Sequence, residues 1–487
     1  MSKFSHDILV LGGGAAGLTV ASGAAQLGVK VALIEKHNNR LGGDCLYYGC
    51  VPSKTLIKSA KIYQYGKSFP KFGLPEIPLP KPDIESVLAH VHQVIEEVAV
   101  HDSPERFRSL GAEIIFGSPE FVSPFELRVT DPGGGSRPLS AQSIILATGS
   151  SPTSPPIPGL EQTGYLTNLN IFSLKRLPER LITIGGGPIG IELSQALLRL
   201  GSRVTLLEYA DHILPREDAD MAEILKARLL AEGAEIITGA RVVRVEGRKG
   251  KKIVTFHTGG QTEKSIEGSE ILLAAGRRGN GASLKPEQAG LKTQQGFFDT
   301  DRGLATSQQH ILAIGDSNGR YLFTHVAGAE GSLAVRKAVF HLPVSMDYNS
   351  VPWVTYTDPE VASVGLNEMR AREEGVSFTT VVSEFRDVDR AVTETESEGK
   401  IKILLDKKNR IIGTQIVGAH AGELLLPSIL ALKNRYKLMD IMTPVFPYPV
   451  LTEIYKKAAS GYYAPKIFNT RVRRILRLLF RYRGRSD

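Results

Sequence analysis

The stretch Ile8-Leu9-Val10-Leu11-Gly12-Gly13-Gly14-Ala15-Ala16-Gly17 decides the fold. Four apolar residues in succession make a buried-strand pattern, the glycines a turn, and Leu18 to Leu27 a small-residue helix. A second strand pattern, Val31-Ala32-Leu33-Ile34, ends at Glu35. This is the Gly-x-Gly-x-x-Gly dinucleotide fingerprint in the strand–turn–helix setting that it requires. Gly12 permits the tight turn, Gly14 lets backbone approach a pyrophosphate, and Gly17 lets the helix pack on the strand. The helix N-terminus then faces the phosphates. Glu35, 18 residues past Gly17, can accept hydrogen bonds from ribose hydroxyls. Ile8 to Val29 carries no charge over 22 positions, long enough to span a bilayer. Six glycines interrupt that run, so a buried strand, a turn and a helix describe it better.

The pattern recurs. Leu181-Ile182-Thr183-Ile184 leads into Gly185-Gly186-Gly187-Pro188-Ile189-Gly190, then a helix, then Arg203-Val204-Thr205-Leu206-Leu207 ending at Glu208. Gly190 to Glu208 is again 18 residues. Two complete fingerprints imply two bound dinucleotides in two similar domains. An acid at Glu208 suits the free 2′-hydroxyl of NAD, whereas a 2′-phosphate would want arginine, so NAD(H) is expected over NADP(H). Arg203, at the start of the strand, argues weakly the other way. Two shorter strands look like returns to the nucleotides: Ile144-Ile145-Leu146-Ala147-Thr148-Gly149 and His310-Ile311-Leu312-Ala313-Ile314-Gly315-Asp316. Asp316 either caps the following helix or faces a ligand.

At 487 residues the chain is long enough for about three domains. Its 42% hydrophobic and 23% charged residues exclude low-complexity disorder and a fibrous protein. The net charge of +8 would suggest an anionic partner for the whole molecule. Residues 466–487 alone, however, hold eight basic residues and one acid, which leaves the remaining body at +1. The two cysteines, Cys45 and Cys50, are too few for a secreted disulfide framework or a four-cysteine metal site, and no metal centre is expected. The first strand follows Met1 almost at once, so no signal peptide is read and a cytoplasmic location is expected.

The cysteines lie in Gly42-Gly43-Asp44-Cys45-Leu46-Tyr47-Tyr48-Gly49-Cys50-Val51-Pro52-Ser53-Lys54, which opens a helical stretch running on through Ala60. Five residues of regular helix rise about 7.5 Å, whereas a disulfide wants Cα atoms roughly 4.4–6.8 Å apart. A bridge would need a distorted helix start, which Gly49 can supply. So small a loop adds little stability by chain entropy, and two thiols without a nearby histidine make a poor metal site. A redox-active dithiol is the reading that remains. The helix N-terminus and Lys54 would both lower a thiolate pKa.

At these residues the chain resembles the pyridine-nucleotide disulfide oxidoreductases, flavoproteins that include dihydrolipoamide dehydrogenase, glutathione reductase and mercuric reductase. The resemblance spans about residues 5–465, and Gly42-Gly43-x-Cys45-x-x-x-x-Cys50-x-Pro52 is its most specific motif. It implies an α/β fold with two Rossmann-like domains, for FAD and NAD, and a C-terminal α+β dimerisation domain. The implied boundaries are 1–150 and 280–350 for FAD, 151–279 for NAD, 351–465 for the dimer contact and 466–487 for a separate tail. FAD would sit on the first fingerprint with Lys36, Gly43, Lys54, Thr148, Gly149 and Ala327 around it and Gly315-Asp316 at its ribityl region. NAD would sit on the second, with Gly276 in Leu272-Leu273-Ala274-Ala275-Gly276-Arg277-Arg278 at the exit from that domain. Glu192 would pair with Lys54 beside the flavin. Thr357-Asp358-Pro359-Glu360-Val361-Ala362-Ser363-Val364-Gly365 resembles the start of the dimerisation domain of a homodimer. NADH would reduce FAD, which would reduce a Cys45–Cys50 disulfide, with Cys50 on the flavin side and Cys45 as interchange thiol.

One part of the pattern departs. Disulfide reductases of this family carry His-Pro-x-x-x-Glu near the C-terminus, contributed across the dimer for proton transfer. This chain reads Tyr448-Pro449-Val450-Leu451-Thr452-Glu453. Glu453 fits, but a tyrosine with a pKa near 10 is a poor base at neutral pH. The mercuric reductase branch resembles this chain in having tyrosine there, yet it delivers metal through C-terminal cysteines, and none follows Cys50. Three classes of acceptor therefore stay open: a small-molecule or protein disulfide, a metal ion, and a quinone. A flavin-binding redox sensor with little turnover is the rival outside enzymology.

Beyond Pro465, the residues Phe468, Val472, Ile475, Leu476 and Leu479 fall on one helical face, and Arg473, Arg474, Arg477 and Arg481 on the other. A basic amphipathic helix suits an anionic membrane surface, peripheral at the inner face, or it docks on its own dimer. Nucleic acid would use the charge but leave the apolar face unexplained.

Overall fold

The run Ile8 to Leu11 is apolar because both faces of its strand are covered, and all four side chains are buried. In the computed structural model, which describes residues 4–37, 40–260 and 262–480, the chain divides into two units. One comprises Met1–Ser68, Glu76–Tyr209 and Ile237–Asp347, the other Phe69–Pro75, Ala210–Ile236 and Tyr348–Asp487.

In the first unit, β1 (His6–Leu11), β2 (Val31–Glu35), β3 (Glu113–Phe116), β4 (Ser118–Ser123), β5 (Glu126–Thr130) and β6 (Ser136–Leu146) form a sheet in the order β3-β2-β1-β6-β5-β4. The pairings among β3, β2, β1 and β6 are parallel, with Leu11 beside Ile34 on one side and Leu146 on the other. Helix α1 (Ala15–Gln26) makes the crossover from β1 to β2, which is the Rossmann arrangement that the fingerprint predicts. The chain then forms α2 (Gly43–Tyr47) and α3 (Cys50–Lys67).

The second fingerprint repeats this geometry. Strand β7 (Ser150–Pro152) leads away from the first sheet. Strand β8 (Arg180–Ile184), helix α4 (Pro188–Leu200) and β9 (Arg203–Leu207) follow. A hairpin ribbon of β10 (Arg241–Arg248), β11 (Lys251–Thr258) and β12 (Thr262–Gly268) precedes β13 (Glu270–Leu273), which pairs parallel to β8. The chain returns through β14 (Arg277–Gly279), antiparallel to β7. Strand β15 (Ile311–Ala313) then joins the first sheet beside β6, and α5 (Thr324–Phe340) packs on α1.

The two glycine turns superpose in their close approaches. Gly12 and Gly185 have φ of +113° and +111°. A Cβ would stand 2.2 Å from the Ala147 carbonyl oxygen at the first and 2.4 Å from that of Ala274 at the second. A Cβ on Gly17 would lie 1.9 Å from the Gly12 oxygen, and one on Gly190 2.1 Å from that of Gly185. Each helix is thereby seated directly on its own turn.

The second unit is built on the antiparallel strands β16 (Pro352–Thr355), β17 (Glu360–Gly365), β18 (Thr379–Glu384), β19 (Lys400–Leu405) and β20 (Ile411–Gly418), in the order β16-β17-β20-β19-β18. The helix Ala219–Ala231, inside the stretch expected for NAD, belongs to this unit. The reason is a buried polar cluster. Glu217 accepts from Trp353 Nε1 at 2.5 Å, Ser363 Oγ at 2.5 Å and Gln415 Nε2 at 2.6 Å. Burial pushes the Glu217 carboxyl above the usual carboxylate range against those three bonds. Lys402 is buried beside Asp218 at 3.1 Å and also bonds Asp220.

The unit ends in α6 (Glu453–Ile467) and α7 (Thr470–Phe480). The placing of Phe468 on the tail helix needs correction. Pro465 lies inside α6, and Phe468 closes that helix. Asn469 opens α7 by accepting from the Val472 N–H at 3.0 Å. Arg481, Arg483 and Arg485 lie outside the described residues.

Gly190→Ala tests the close approach. The methyl group would overlap the Gly185 carbonyl, and we expect a loss of about 1–3 kcal/mol, read as a lower urea midpoint at unchanged slope. An unchanged midpoint would show that α4 backs away freely.

Candidate active site

Cys45 lies in α2, whose N-cap Gly42 has φ of 112°. The helix ends at Tyr48, and Gly49 breaks the path with φ −124° and ψ −110°. A side chain at Gly49 would crowd the Asp44 carbonyl oxygen at 3.0 Å. Cys50 is the first residue of α3, which extends past the expected Ala60 to Lys67. The break brings the two thiols into hydrogen-bond contact, both free and half-buried.

The pair is asymmetric. The hydrogen bond from Cys45 pulls the Cys50 thiol down to about 6, helped by the Thr324 hydroxyl and the Lys54 charge, against burial and Asp44. Thr324 Oγ1 is 3.2 Å from Cys50 Sγ. The same shared bond, with burial, drives Cys45 well above the ordinary thiol range. At neutral pH the reduced pair is thus a Cys45 thiol donating to a Cys50 thiolate. Lys54, one turn into α3, binds Glu192 Oε2 at 2.8 Å, and Glu192 is buried on α4.

A second cluster surrounds Asp316. It accepts from Ser150 Oγ at 2.5 Å and lies 3.9 Å from Arg277 Nε. Arg277 also binds Asp44 at 3.1 Å. Burial pushes the Asp316 carboxyl upward. Its side chain makes no helix-capping bond, so the capping alternative does not describe it. Gly315 packs on Ala327, 3.0 Å from where its Cβ would stand, and its N–H donates to the buried Glu330 at 2.6 Å.

These residues suit two dinucleotides. Gly43 faces Gly14 so closely that a Cβ on it would be 2.8 Å from the Gly14 Cα. The N-terminus of α1, capped by Gly14, has no side-chain capping bond, which suits a pyrophosphate. The Thr148 hydroxyl is buried with no hydrogen-bond partner among the described residues. Buried hydroxyls are normally satisfied, and Thr148 with Gly149 stands just past the end of β6, where the resemblance implies a bound FAD. A cavity of about 620 Å³ lined by Ala15, Thr19, Gly42, Cys45, Asp102 and Thr324 joins α1 to Cys45. Glu35 accepts from the N–H groups of Gly13 and His37 at 2.7 and 2.9 Å, with Lys36 exposed next to it. Glu208 accepts from Gly186 at 2.5 Å, on the turn that carries Gly187. Each acid is fixed against its own turn. Gly276, with φ of +124°, lies between β13 and β14.

Sequence reasoning missed Thr324, Ser150, Glu330 and the Asp44–Arg277 pair. Only Thr324 had a local signal, as the first residue of a helix that follows the Gly315-Asp316 return. In the second unit, Tyr448 is 70% exposed and donates to Asp389 Oδ2 at 2.8 Å. That bond, and the charges of Asp389 and Glu453, raise its pKa further. Glu453 opens α6. Among the described residues no cluster of three or more His, Cys, Asp or Glu is placed to hold a metal ion.

Known proteins share this architecture. The family model for pyridine nucleotide-disulphide oxidoreductases matches residues 6–331, and the dimerisation-domain model of the same family matches 351–459. A mercuric reductase of Lysinibacillus sphaericus is 33% identical over 462 residues, covering 94% of this chain and 83% of the relative. A dihydrolipoyl dehydrogenase of Geobacillus stearothermophilus is 34% identical over 457 residues, covering 93% and 95%. The Cu(II) complex of RclA, an HOCl-induced flavoprotein disulfide reductase from Escherichia coli, matches with a TM-score of 0.83 at 27% identity, over 95% of this chain and 100% of that one. A match on this scale, over both nucleotide turns and the thiol pair, places the chain in the pyridine nucleotide-disulphide oxidoreductase family, as an oxidoreductase of the flavoprotein disulfide reductase kind.

Proposed function

We propose that this protein is a homodimeric cytoplasmic enzyme that carries two electrons from NADH through FAD to a Cys45–Cys50 disulfide and on to a disulfide acceptor. The observation that carries this reading is the thiol–thiolate pair, with Cys50 held near pKa 6 and Cys45 held protonated. In this reading residues 1–150 and 280–350 serve FAD, 151–279 NAD, and 351–465 the dimer contact.

Bound FAD would supply hydride acceptance from NADH and two-electron delivery to sulfur. The protein's part is to hold and to move protons. The turn Gly12 to Gly17 and the α1 N-terminus take the FAD pyrophosphate, with Thr148 and Asp316 offering further polar contacts. The turn Gly185 to Gly190 takes that of NADH, and Glu208 its adenosine ribose. Lys54, held by its ion pair with Glu192, places its charge one turn from Cys50.

The reduced pair then acts on the acceptor. The proton that Cys45 shares with Cys50 moves to Cys50, and the Cys45 thiolate attacks one sulfur of the acceptor. The acceptor's S–S bond breaks, a mixed disulfide forms, and the leaving thiolate takes a proton from water. Cys50, once deprotonated, attacks Cys45, closes the Cys45–Cys50 bond and releases the second sulfur as a thiolate. The pair loses two electrons and the acceptor gains two. Deprotonating Cys50 in the second half calls for a base. Tyr448, its hydroxyl bonded to Asp389 and its pKa raised, does not supply one. That observation favours a second reading, a metal ion or quinone as acceptor, since neither leaves a protein–substrate mixed disulfide to be resolved.

Three tests follow from these roles. Under anaerobic NADH titration, the long-wavelength band of the two-electron-reduced protein should vanish in Cys50→Ala and, in the parent, appear as pH rises through about 6. Thr324→Val removes a bond to the thiolate and should move that midpoint up by about one pH unit; an unmoved midpoint would detach Thr324 from the pair. Initial rates with lipoamide, Hg(II) and a soluble quinone separate the acceptors. Lipoamide turnover should be slow in the parent and rise at least about tenfold in Tyr448→His. Rapid parental lipoamide turnover would sink the argument from Tyr448, and slow turnover with every acceptor would favour a redox sensor. Finally, kcat/KM for NADH should exceed that for NADPH, and Glu208→Ala should narrow the ratio; equal parental values would remove the NADH preference.

A further inference from the structure

The tail carries a feature that electron transfer does not use. Helix α7 spans Thr470–Phe480, and none of its residues is buried. Val472, Ile475, Leu476 and Leu479 line one side, with Ile475 at 52% and Leu479 at 69% exposure. Arg473, Arg474 and Arg477 line the opposite side. Leu478 and Phe480, 76% and 59% exposed, widen the apolar stripe at its edges. From residue 454 to residue 486 the chain has ten basic residues and no acid. The family match stops at residue 459, so α7 lies outside what the family's fold requires.

We propose that α7 lies flat on an anionic phospholipid surface and holds the enzyme there. A protein surface covering the apolar stripe would make no use of the basic side. A lipid interface meets both sides at once: the stripe enters the acyl boundary while the arginines meet phosphate headgroups. Its described stretch runs for about 16 Å with an arginine in every turn, which fits an in-plane position. Among the described residues no helix is long and apolar enough to cross. The body's charge of +1 contributes almost nothing, so the attraction belongs to the tail.

Co-sedimentation of the full-length, FAD-loaded protein with vesicles tests this. The protein should pellet with phosphatidylcholine–phosphatidylglycerol vesicles, stay in solution with phosphatidylcholine alone, and be released by high salt. Each arginine in the series Arg473→Gln, Arg474→Gln and Arg477→Gln should be worth about fivefold in partitioning. Ile475→Ser with Leu479→Ser should abolish binding while leaving NADH oxidation by a soluble acceptor and the sedimentation coefficient unchanged. Equal partitioning to both vesicle types, or variants that bind like the parent, would overturn the proposal. So would a lower sedimentation coefficient for the serine variant in lipid-free buffer, because α7 would then be covering protein.

Discussion

The arrangement of the first unit depends on one carbonyl oxygen. The Gly12 oxygen lies where a Cβ on Gly17 would be 1.9 Å away, so α1 can rest on its turn only without a side chain at that point. That seat fixes the direction of α1, and α1 in turn seats α5. Gly331 of α5 approaches Ala16 and Thr19 so closely that a Cβ there would meet both at 2.9 Å. At the N-terminal end of α5 stands Thr324, whose hydroxyl reaches Cys50. The bond that tunes the Cys50 thiol is therefore placed by two glycine contacts far from it in sequence. Hydrogen bonds to a thiolate are strong only when their direction is held, and close-packed helices hold it.

The same economy explains how adjacent cysteines come to differ so widely. Their surroundings share Thr324, and both are buried to a similar degree. What separates them is the hydrogen bond between them, which keeps the proton on Cys45, and the Lys54 charge, which favours a thiolate at Cys50. Cys45 ends up one short helix earlier, pointing a proton at its neighbour. The break at Gly49 makes the difference possible, since a continuous helix would hold the sulfurs too far apart to share that proton.

Much of this was legible in the sequence because it is local. Both glycine turns, their following acids at equal spacing, and the cysteine motif are patterns within about 30 residues. The salt bridge of Lys54 with Glu192 joins residues 138 apart and could be anticipated only through resemblance. Ser150 with Asp316 and Asp44 with Arg277 join segments 166 and 233 apart, and no periodicity announces such pairs. The membership of Ala219–Ala231 in the second unit is likewise set by Glu217 bonding Trp353, Ser363 and Gln415, a tertiary cluster. The misplaced start of the tail helix is a different kind of miss. Phe468 fits the apolar face of the tail by spacing, but its N–H closes the preceding helix on the Ala464 carbonyl at 2.8 Å. Asn469 was the true signal.

The charge distribution separates two ways of handling phosphate. In the body, anionic groups of nucleotides are to be met by turns, helix ends and single hydroxyls, with acids at Glu35 and Glu208 placed against the glycine turns themselves. Such sites work by fixed dipoles at short range, and salt screens them little. They need no net charge, and the body has almost none. In the tail the charges stand on exposed flexible side chains along one helix, where attraction is long-ranged and falls with ionic strength. One protein therefore carries two electrostatic regimes that salt should separate: cofactor retention insensitive to it, and association through residues 466–487 strongly dependent on it.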